Sequence, residues 1–294
     1  TIKENFDLFI AKNFPRKSLL SAKTSGSTGS GFQFYTTREA LDHQWAVCWR
    51  YRMAMGIDFG TLCAVFGKQK VVPLERQRGP FYRRSSFSKQ LYFSSYHITP
   101  QNIREYVSDL EREQVKWIHG YPSSISLLAA AMLEENLSLS YQVEHVTTAS
   151  ENLLEHQREL IKKVFGVAPH DHYAMAEGVA NFSCTPSGEM IVDEDYAAVE
   201  FVGDGPSKQI IGTTLANYAM PFLRYNTHDL ATLATGDSSS HQRMLSSIDG
   251  RFEDYVVLKN GKKVGRLDPI FKSLVNINEA QIYQKQAGKI VLRI

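Results

Sequence analysis

The residues that could do chemistry begin with a tract of small polar residues, SAKTSGSTGSG, at positions 21–31. Its three glycines let backbone N–H groups turn towards an anion without a Cβ in the way, and its hydroxyls add further donors. A phosphate-binding loop has this chemistry, but a flexible linker has the same composition. A Walker-type loop is excluded, because no Gly-Lys-Ser/Thr triplet follows.

The neighbours of this tract favour phosphate binding. A β-type run at residues 32–35 follows at once, and a polar approach at residues 17–23 precedes it. A tract flanked so closely by ordered elements is less typical of a linker. We therefore expect the tract to hold phosphate, and the linker stays as the alternative.

Length and composition limit the partners of this chain. Its 294 residues are 43% hydrophobic and 22% charged, which is enough for one large domain or two unequal ones. A formal net charge of +2 gives no basic field for nucleic acid. No apolar run approaches the roughly 20 residues that span a bilayer. The three cysteines are isolated, which favours a reducing compartment, and we expect a cytoplasmic protein.

Strand, loop and helix alternate along the first part of the chain. Thr36 and Glu39 form a capping-box pattern before a helix that ends near Gly56. Thr99 can cap the next helix, and a later amphipathic helix ends at Gly166. The alternation predicts α/β layers, in which ligands lie at the carboxyl ends of strands. The intervening strands are predicted at residues 115–120 and 145–150.

From residue 191 onward the helical periodicity fades, and strand-like runs with turn residues between them take its place. The pair Asn260–Gly261 is a strong hairpin signal. We expect a large layered α/β domain over residues 1–250, followed by the start of a small β-rich subdomain over residues 251–294. Because the sequence begins without a methionine and closes in a strand-like stretch, we expect one or both ends to be incomplete.

Four separated motifs lie in order along nearly the whole chain: TSGSTG at 24–29, YAMAE at 173–177, RYNTHD at 224–229 and GRFED at 250–254. They resemble those of the adenylate-forming, acyl-CoA synthetase-like superfamily. Within it the chain is most similar to the phenylacetate–CoA ligase-like branch and its CapK-type capsular polysaccharide members. Residues 116–125 and 261–284 are further features of the CapK-type group.

This resemblance implies a large α/β adenylation domain and an ATP- and Mg²⁺-dependent acid ligase. Such an enzyme joins a small carboxylic acid to AMP, releases pyrophosphate, and passes the acyl group to CoA or to an amine or hydroxyl acceptor such as a sugar. Polysaccharide biosynthesis is one setting that the resemblance implies. It also implies a hinge at the GRFED motif, which we place at Glu253 or Asp254.

The resemblance also assigns residues to the phosphates and the adenine of ATP. Tyr173 would offer adenine a flat face, and its plain alternative is a core aromatic residue. Ala149, Ser150 and Glu151 lie where the family shapes its adenine-binding loop, and the alternative is a helix N-terminus capped by Ser150. The phosphate loop comprises Thr24, Ser25, Gly26, Ser27, Thr28 and Gly29.

Two further residues are assigned to the ribose. The carboxylate of Asp229 is acceptor-only and suits the two ribose hydroxyls. Arg251 can donate to the ribose or to phosphate oxygens. For both, the alternative is a surface ion pair. Ala176 stands at the position where relatives place a hydroxyl that contacts the nucleotide phosphate.

Two residues are assigned to catalysis. Glu177 follows a predicted strand end, where a carboxylate is a useful hard ligand for Mg²⁺, and the alternative is an ordinary surface carboxylate. His97 closes the sequence FSSYH at 93–97, and many relatives carry an aromatic–histidine pair beside the acyl carboxylate. There it would orient that carboxylate for attack on the α-phosphorus, or it is a structural histidine at a turn.

Departures from the family pattern support a second hypothesis. Ala174 and His228 replace glycines, and Ala176 lacks the usual hydroxyl. A histidine tolerates a positive φ poorly, if the backbone needs one there. No residue in 252–294 matches the catalytic lysine of the small subdomain in relatives. The alternative is a catalytically degenerate nucleotide-binding scaffold of the same fold.

Overall fold

The computed structural model describes residues 2, 4–24, 32–234, 242–251, 255–261, 263–265 and 281–294. In these ranges the helices are α1 (Arg38–Ala54), α2 (Ile103–Glu113), α3 (Pro122–Glu134) and α4 (Glu155–Phe165). The strands of the first half are β1 (Leu20–Lys23), β2 (Gln33–Thr36), β3 (Cys63–Gly67), β4 (Tyr82–Ser85), β5 (Gln90–Ser94), β6 (Trp117–Gly120), β7 (His145–Ala149) and β8 (His170–Ala174). Those of the second half are β9 (Asn181–Cys184), β10 (Met190–Val192), β11 (Ala197–Val202), β12 (Ser207–Thr214), β13 (Tyr225–Leu233), β14 (Met244–Arg251), β15 (Tyr255–Val257), β16 (Lys263–Gly265), β17 (Gln281–Gln286) and β18 (Lys289–Arg293).

A large mixed sheet organises the described residues. Its twelve strands follow the order β11-β12-β13-β14-β10-β9-β8-β7-β6-β3-β5-β4. Pairing is parallel from β8 through β7, β6 and β3 to β5, and antiparallel elsewhere in this sheet. Helices α2, α3 and α4 are the crossovers between successive parallel strands. The predicted α/β fold and the change to strands after residue 191 are confirmed.

Helices cover both faces of the parallel part of the sheet. Ala64 and Phe66 of β3 belong to the core cluster that α2, α3 and α4 complete. Cys63 and Val65 alternate with them and pack with Trp49 of α1 instead. This alternation follows from the two-residue period of a strand. The parallel strands are therefore buried between layers, and their ends are where polar groups can collect.

Helix α1 begins one residue later than the sequence suggested. Thr37 is its N-cap, and its side-chain oxygen accepts a hydrogen bond from the backbone N–H of Ala40 at 3.1 Å. Thr36 lies in β2, opposite Leu20 of β1. The prediction of a Thr36–Glu39 capping box was wrong. Either threonine has the hydroxyl that a cap needs, but Thr36 is part of the paired strand β2, so Thr37 is the first residue that can serve as N-cap.

We expect Thr37→Ala to lower the free energy of unfolding by about 1 kcal/mol, the usual loss for an N-cap hydroxyl. Urea unfolding followed by circular dichroism would measure it. Thr36→Ala is the matched control, and we expect it to cost less than about 0.5 kcal/mol. Equal losses at the two positions would contradict the assignment of the cap.

Two other helix starts also differ from the sequence expectation. Helix α2 begins at Ile103 with Asn102 at its N-cap, so Thr99 is not the cap. Helix α4 begins at Glu155 with Leu154 at its N-cap. Its predicted end at Gly166 is confirmed, since that glycine is the C-cap with a left-handed φ of 77°.

The strands after residue 254 form two separate pairs in the described part of the chain. β15 pairs with β16, which confirms the Asn260–Gly261 hairpin, and β17 pairs with β18. Neither pair joins the large sheet among the described residues. The predicted hinge at Glu253 or Asp254 lies outside the described residues. The division into domains 1–250 and 251–294 stays a prediction.

Two observations concern the environment of the chain. Among the described helices, none combines the length and the apolar character needed to cross a membrane. Cys48, Cys63 and Cys184 are all free thiols. The expectation of a cytoplasmic protein stays a prediction.

Candidate functional site

The candidate site lies at the carboxyl edge of the parallel strands. Because the strands between β5 and β8 are parallel, the residues that follow each of them share one edge of the sheet. The residues after β5, β3, β6, β7 and β8 in this position include His97, Lys68, Tyr121, Glu151 and Glu177. The sequence predicted that the site residues follow strand ends, and the parallel pairing places these residues along one edge of the sheet.

Tyr173 and Asp229 meet across the sheet although 56 residues separate them. The Tyr173 hydroxyl donates to Oδ2 of Asp229 at 2.7 Å. The Tyr173 ring stacks on Phe182 at 4.8 Å between centroids, so one face of the ring packs on the core. Burial and the neighbouring Asp229 carboxylate raise the pKa of Tyr173 well above its ordinary value. The hydroxyl therefore stays protonated and acts as a donor to Asp229.

The backbone around Asp229 explains one departure from the family pattern. His228 has a φ of 61°, so this position needs the left-handed conformation that a glycine adopts most easily. Side-chain oxygens hold this irregular stretch of β13: Oδ1 of Asn226 accepts from the His228 N–H at 2.9 Å, and Oγ1 of Thr227 accepts from the Asp229 N–H at 3.1 Å. Histidine is therefore accommodated by local hydrogen bonds, and Asp229 keeps a defined position.

Glu177 is a buried carboxylate in the turn that follows β8. The residue as a whole is 5% exposed, so it is not an ordinary surface carboxylate. The Tyr225 hydroxyl donates to its Oε1 at 3.0 Å. Gly178, with a φ of 71°, donates its N–H to the carbonyl of Met175 at 3.0 Å and so closes the turn. The turn holds Glu177 at the edge where the YAMAE motif ends.

These residues fit a magnesium ion that is shared with a phosphate-bearing substrate. Mg²⁺ in such sites is held by one or two carboxylates together with substrate phosphates and waters, not by an all-protein cage. Glu177 supplies one such carboxylate. Within the described residues, no group of three or more His, Cys, Asp or Glu side chains could hold a metal. An ion held by Glu177 and a nucleotide matches this donor set.

The predicted adenine loop follows β7 in a strained conformation. Ser150 has a φ of 69°, which is uncommon for a residue with a Cβ. The next residue, Glu151, accepts hydrogen bonds from Lys68 Nζ at 2.6 Å and from the backbone N–H of Ser123 at 3.2 Å. The alternative that Ser150 caps a helix is wrong, because α4 begins at Glu155.

The charge of Glu151 is maintained by these partners. Burial pushes the pKa of Glu151 upward, but the hydrogen bonds from Lys68 and Ser123 outweigh it. The resulting pKa lies below its ordinary value. Glu151 is therefore a carboxylate at neutral pH, and its two oxygens accept from Lys68 and from the N-terminus of α3.

His97 is buried, and both of its ring nitrogens have protein partners. Nδ1 lies 2.8 Å from Oγ of Ser94, and Nε2 lies 3.2 Å from the carbonyl oxygen of Leu74. A carbonyl can only accept, so Nε2 carries a proton. Phe81 stacks on the ring at 4.9 Å between centroids. These contacts favour the structural alternative, since one of them must open before His97 can touch a carboxylate; the catalytic role stays a prediction.

The described residues flank the predicted phosphate loop on both sides. Thr24 and Phe32 close its base: the Thr24 N–H donates to the Phe32 carbonyl, and the Phe32 N–H donates to Oγ1 of Thr24, both at 2.9 Å. Because β1 and β2 pair on either side, the tract joins two neighbouring strands. The calls for Ser25, Gly26, Ser27, Thr28 and Gly29 lie outside the described residues.

For two other predicted site residues, Ala176 and Arg251, the structure gives the position in the chain's secondary structure. Ala176 lies exposed after β8, in the same turn as Glu177. Arg251 is paired with Asp229 in the register of β13 and β14, and its side chain lies outside the described part. That register brings the RYNTHD and GRFED motifs together. The nucleotide roles of both residues stay predictions.

Sequence reasoning missed two residues of this site. Lys68 is the first residue after β3, so the strand-end rule that selected Glu177 could also have selected it. Tyr225 lies inside the RYNTHD motif, so the motif that selected Asp229 could also have selected it. Its hydroxyl contacts Glu177, 48 residues away in sequence.

The chain has the fold of the adenylate-forming CoA ligases. A crystal structure of 2-hydroxyisobutyryl-CoA ligase in the postadenylation state, in complex with R3-HIB-AMP, matches with a TM-score of 0.66 at 19% identity and covers 95% of this chain and 62% of that one. The anthranilate CoA ligase structure in complex with anthranoyl-AMP matches with a TM-score of 0.57 at 14% identity, covering 92% of this chain and 55% of that one.

Two curated proteins are similar in sequence. Protein CapK of Staphylococcus aureus is 26% identical over 259 residues, which cover 87% of this chain and 57% of CapK. Phenylacetate-coenzyme A ligase of Escherichia coli (strain K12) is 23% identical over 220 residues, 69% of this chain and 45% of that protein. No family model matches the chain. The resemblance to the adenylate-forming superfamily and its CapK and phenylacetate–CoA ligase branch is confirmed, and the chain spans less than two thirds of these relatives.

Proposed function

We propose that this chain is the nucleotide-binding part of an ATP- and Mg²⁺-dependent acid ligase that forms an acyl-adenylate. One observation carries the proposal: carboxylates from distant motifs, Glu177 and Asp229, lie near one edge of the sheet, each fixed by a tyrosine hydroxyl. Two separated acceptor groups of this kind suit the two ends of a nucleoside triphosphate, its ribose hydroxyls and its metal-bound phosphates.

The residues of the chain act chiefly by positioning and by neutralising charge. Asp229, held by Tyr173, accepts the ribose hydroxyls and so fixes the sugar. The adenine lies between the loop at residues 149–151 and the Tyr173 ring. The tract at residues 24–29 holds the phosphates. When bound at Glu177, Mg²⁺ supplies charge neutralisation on the phosphate oxygens. The acid's carboxylate oxygen then attacks the α-phosphorus, and pyrophosphate leaves.

The second substrate is an acceptor for the acyl group. We propose CoA, because named structural neighbours are CoA ligases, and keep a sugar amine or hydroxyl as the other class of acceptor. Polysaccharide biosynthesis and a cytoplasmic location remain parts of this proposal. A swing of residues 255–294 about Glu253 or Asp254 would bring the acceptor step into place.

Acid-dependent exchange of radiolabelled pyrophosphate into ATP tests the proposal. A panel of aromatic, aliphatic and hydroxy acids is offered to the purified full-length protein with Mg²⁺, and exchange above the acid-free background with any of them supports it. ATP binding without exchange for any acid would favour the degenerate scaffold instead. The partnered ring of His97 and the missing hydroxyl at Ala176 are the observations that keep this second candidate.

A further inference from the structure

The ion pair of Lys68 and Glu151, which we call the tether, passes across the carboxyl end of β6. Glu151, after β7, reaches Lys68, after β3, and β6 lies between these two strands. The Lys68 ammonium also lies 5.0 Å from the centre of the Tyr121 ring, at the end of β6. The other oxygen of Glu151 accepts from Ser123 at the N-terminus of α3. One carboxylate therefore ties together the ends of β3, β6 and β7.

The tether is attached to a firm base on the β3 side. The Tyr96 hydroxyl donates to the backbone carbonyl of Lys68 at 2.9 Å, and Oγ of Ser95 donates to the carbonyl of Gly67 at 2.9 Å. The Lys68 backbone is thus fixed by the segment after β5. The Lys68 side chain is 60% exposed, whereas that of Glu151 is 18% exposed. The ion pair therefore joins a mostly buried carboxylate to a lysine at the surface.

The segment held by this tether is the strained one. Ser150, with its left-handed φ, directly precedes Glu151, and such a conformation persists only when neighbouring contacts impose it. Opposite charge on Lys68 keeps Glu151 ionised against its own burial. Without the ammonium, the Ser123 N–H alone would hold the carboxylate, and the turn could relax towards an ordinary conformation.

We propose that Lys68 is a positioning residue for the nucleotide: through Glu151 it holds residues 149–151 in the conformation that receives the adenine. This inference rests on the proposed function, because it assumes that the loop faces ATP. Lys68 itself need not touch the nucleotide. Its loss should therefore weaken ATP binding while leaving the affinity for the acid nearly unchanged.

The experiment measures ATP affinity in the presence of Mg²⁺ by calorimetry for the wild-type chain and three variants. We expect Lys68→Met to weaken ATP binding about fivefold, as for the loss of a partly buried ion pair, and Lys68→Arg to recover most of it. Lys116→Met is the matched control. The ion pair of Lys116 with Glu144 has the same 2.6 Å length and a similarly exposed lysine, 59% against 60%, but lies at the opposite edge of the sheet.

A double-mutant cycle separates this role from a general loss of structure. If Lys68 acts through Glu151, the variant with both Lys68→Met and Glu151→Gln should bind ATP no more weakly than the worse single variant. Equal losses for Lys68→Met and Lys116→Met, or additive losses in the cycle, would overturn the inference and leave the proposed function standing. A wild-type chain that binds no ATP would overturn both. Melting temperatures of all variants within a few degrees confirm that folding is retained.

Discussion

Glu177→Gln is expected to lower the rate of acid-dependent pyrophosphate exchange by about 10- to 100-fold, the range typical for a disturbed metal shell. The amide keeps the shape of the side chain and can still accept from Tyr225, but it loses the negative charge that a hard cation prefers. Because the defect is in metal affinity, the rate should recover in part when Mg²⁺ is raised or Mn²⁺ is supplied. A titration of exchange rate against each metal measures this recovery.

A second carboxylate provides the control for this prediction. Glu105 is partly buried and accepts from the backbone N–H of Gly79, but it lies on α2, outside the candidate site. Glu105→Gln should leave the metal dependence of exchange unchanged. If the Glu177→Gln deficit is the same at every metal concentration, Glu177 does not act through a metal.

The sequence allowed most elements, and the polar residues at strand ends, to be predicted, because both depend on local patterns. A buried parallel strand such as β6 reads as a short apolar run, and polar residues such as Glu177, after β8, follow where strands end. The motif order then predicted which residues share that edge. Helix starts were less certain, since Thr36 and Thr37 offer the same hydroxyl one residue apart.

The partners of the site residues could not be predicted in the same way. Lys68 and Glu151 are 83 residues apart, and they meet because β3 and β7 flank β6 in the sheet. That strand order is a property of the tertiary structure, and local sequence patterns do not specify it. His97 shows the same limit: its partner on Nε2 is a backbone carbonyl from the loop after β3, and every residue type offers a carbonyl. The sequence alone therefore gave no basis for choosing between a catalytic and a structural histidine.

The Tyr173–Asp229 pair bears on the remaining prediction, which concerns the ribose. The Tyr173 hydroxyl occupies one acceptor position on Oδ2 of Asp229, and a carboxylate has about four such positions on its two oxygens. The pair thus orients the Asp229 carboxylate. A residue that only closed a surface ion pair would show no preference for nucleotides with ribose hydroxyls.

We expect Asp229→Ala to weaken ATP binding by about 1–3 kcal/mol, the cost of leaving buried ribose hydroxyls without an acceptor. The sharper measurement compares ATP with 2′,3′-dideoxy-ATP in wild-type and variant chains by calorimetry. The wild-type chain should prefer ATP, and Asp229→Ala should abolish that preference because the group that reads the hydroxyls is gone. Asp204→Ala, in the exposed turn between β11 and β12, is the control and should bind both nucleotides as the wild type does. An Asp229→Ala chain that binds ATP within a factor of two of the wild type, or that keeps its preference for ATP, would remove Asp229 from the nucleotide site.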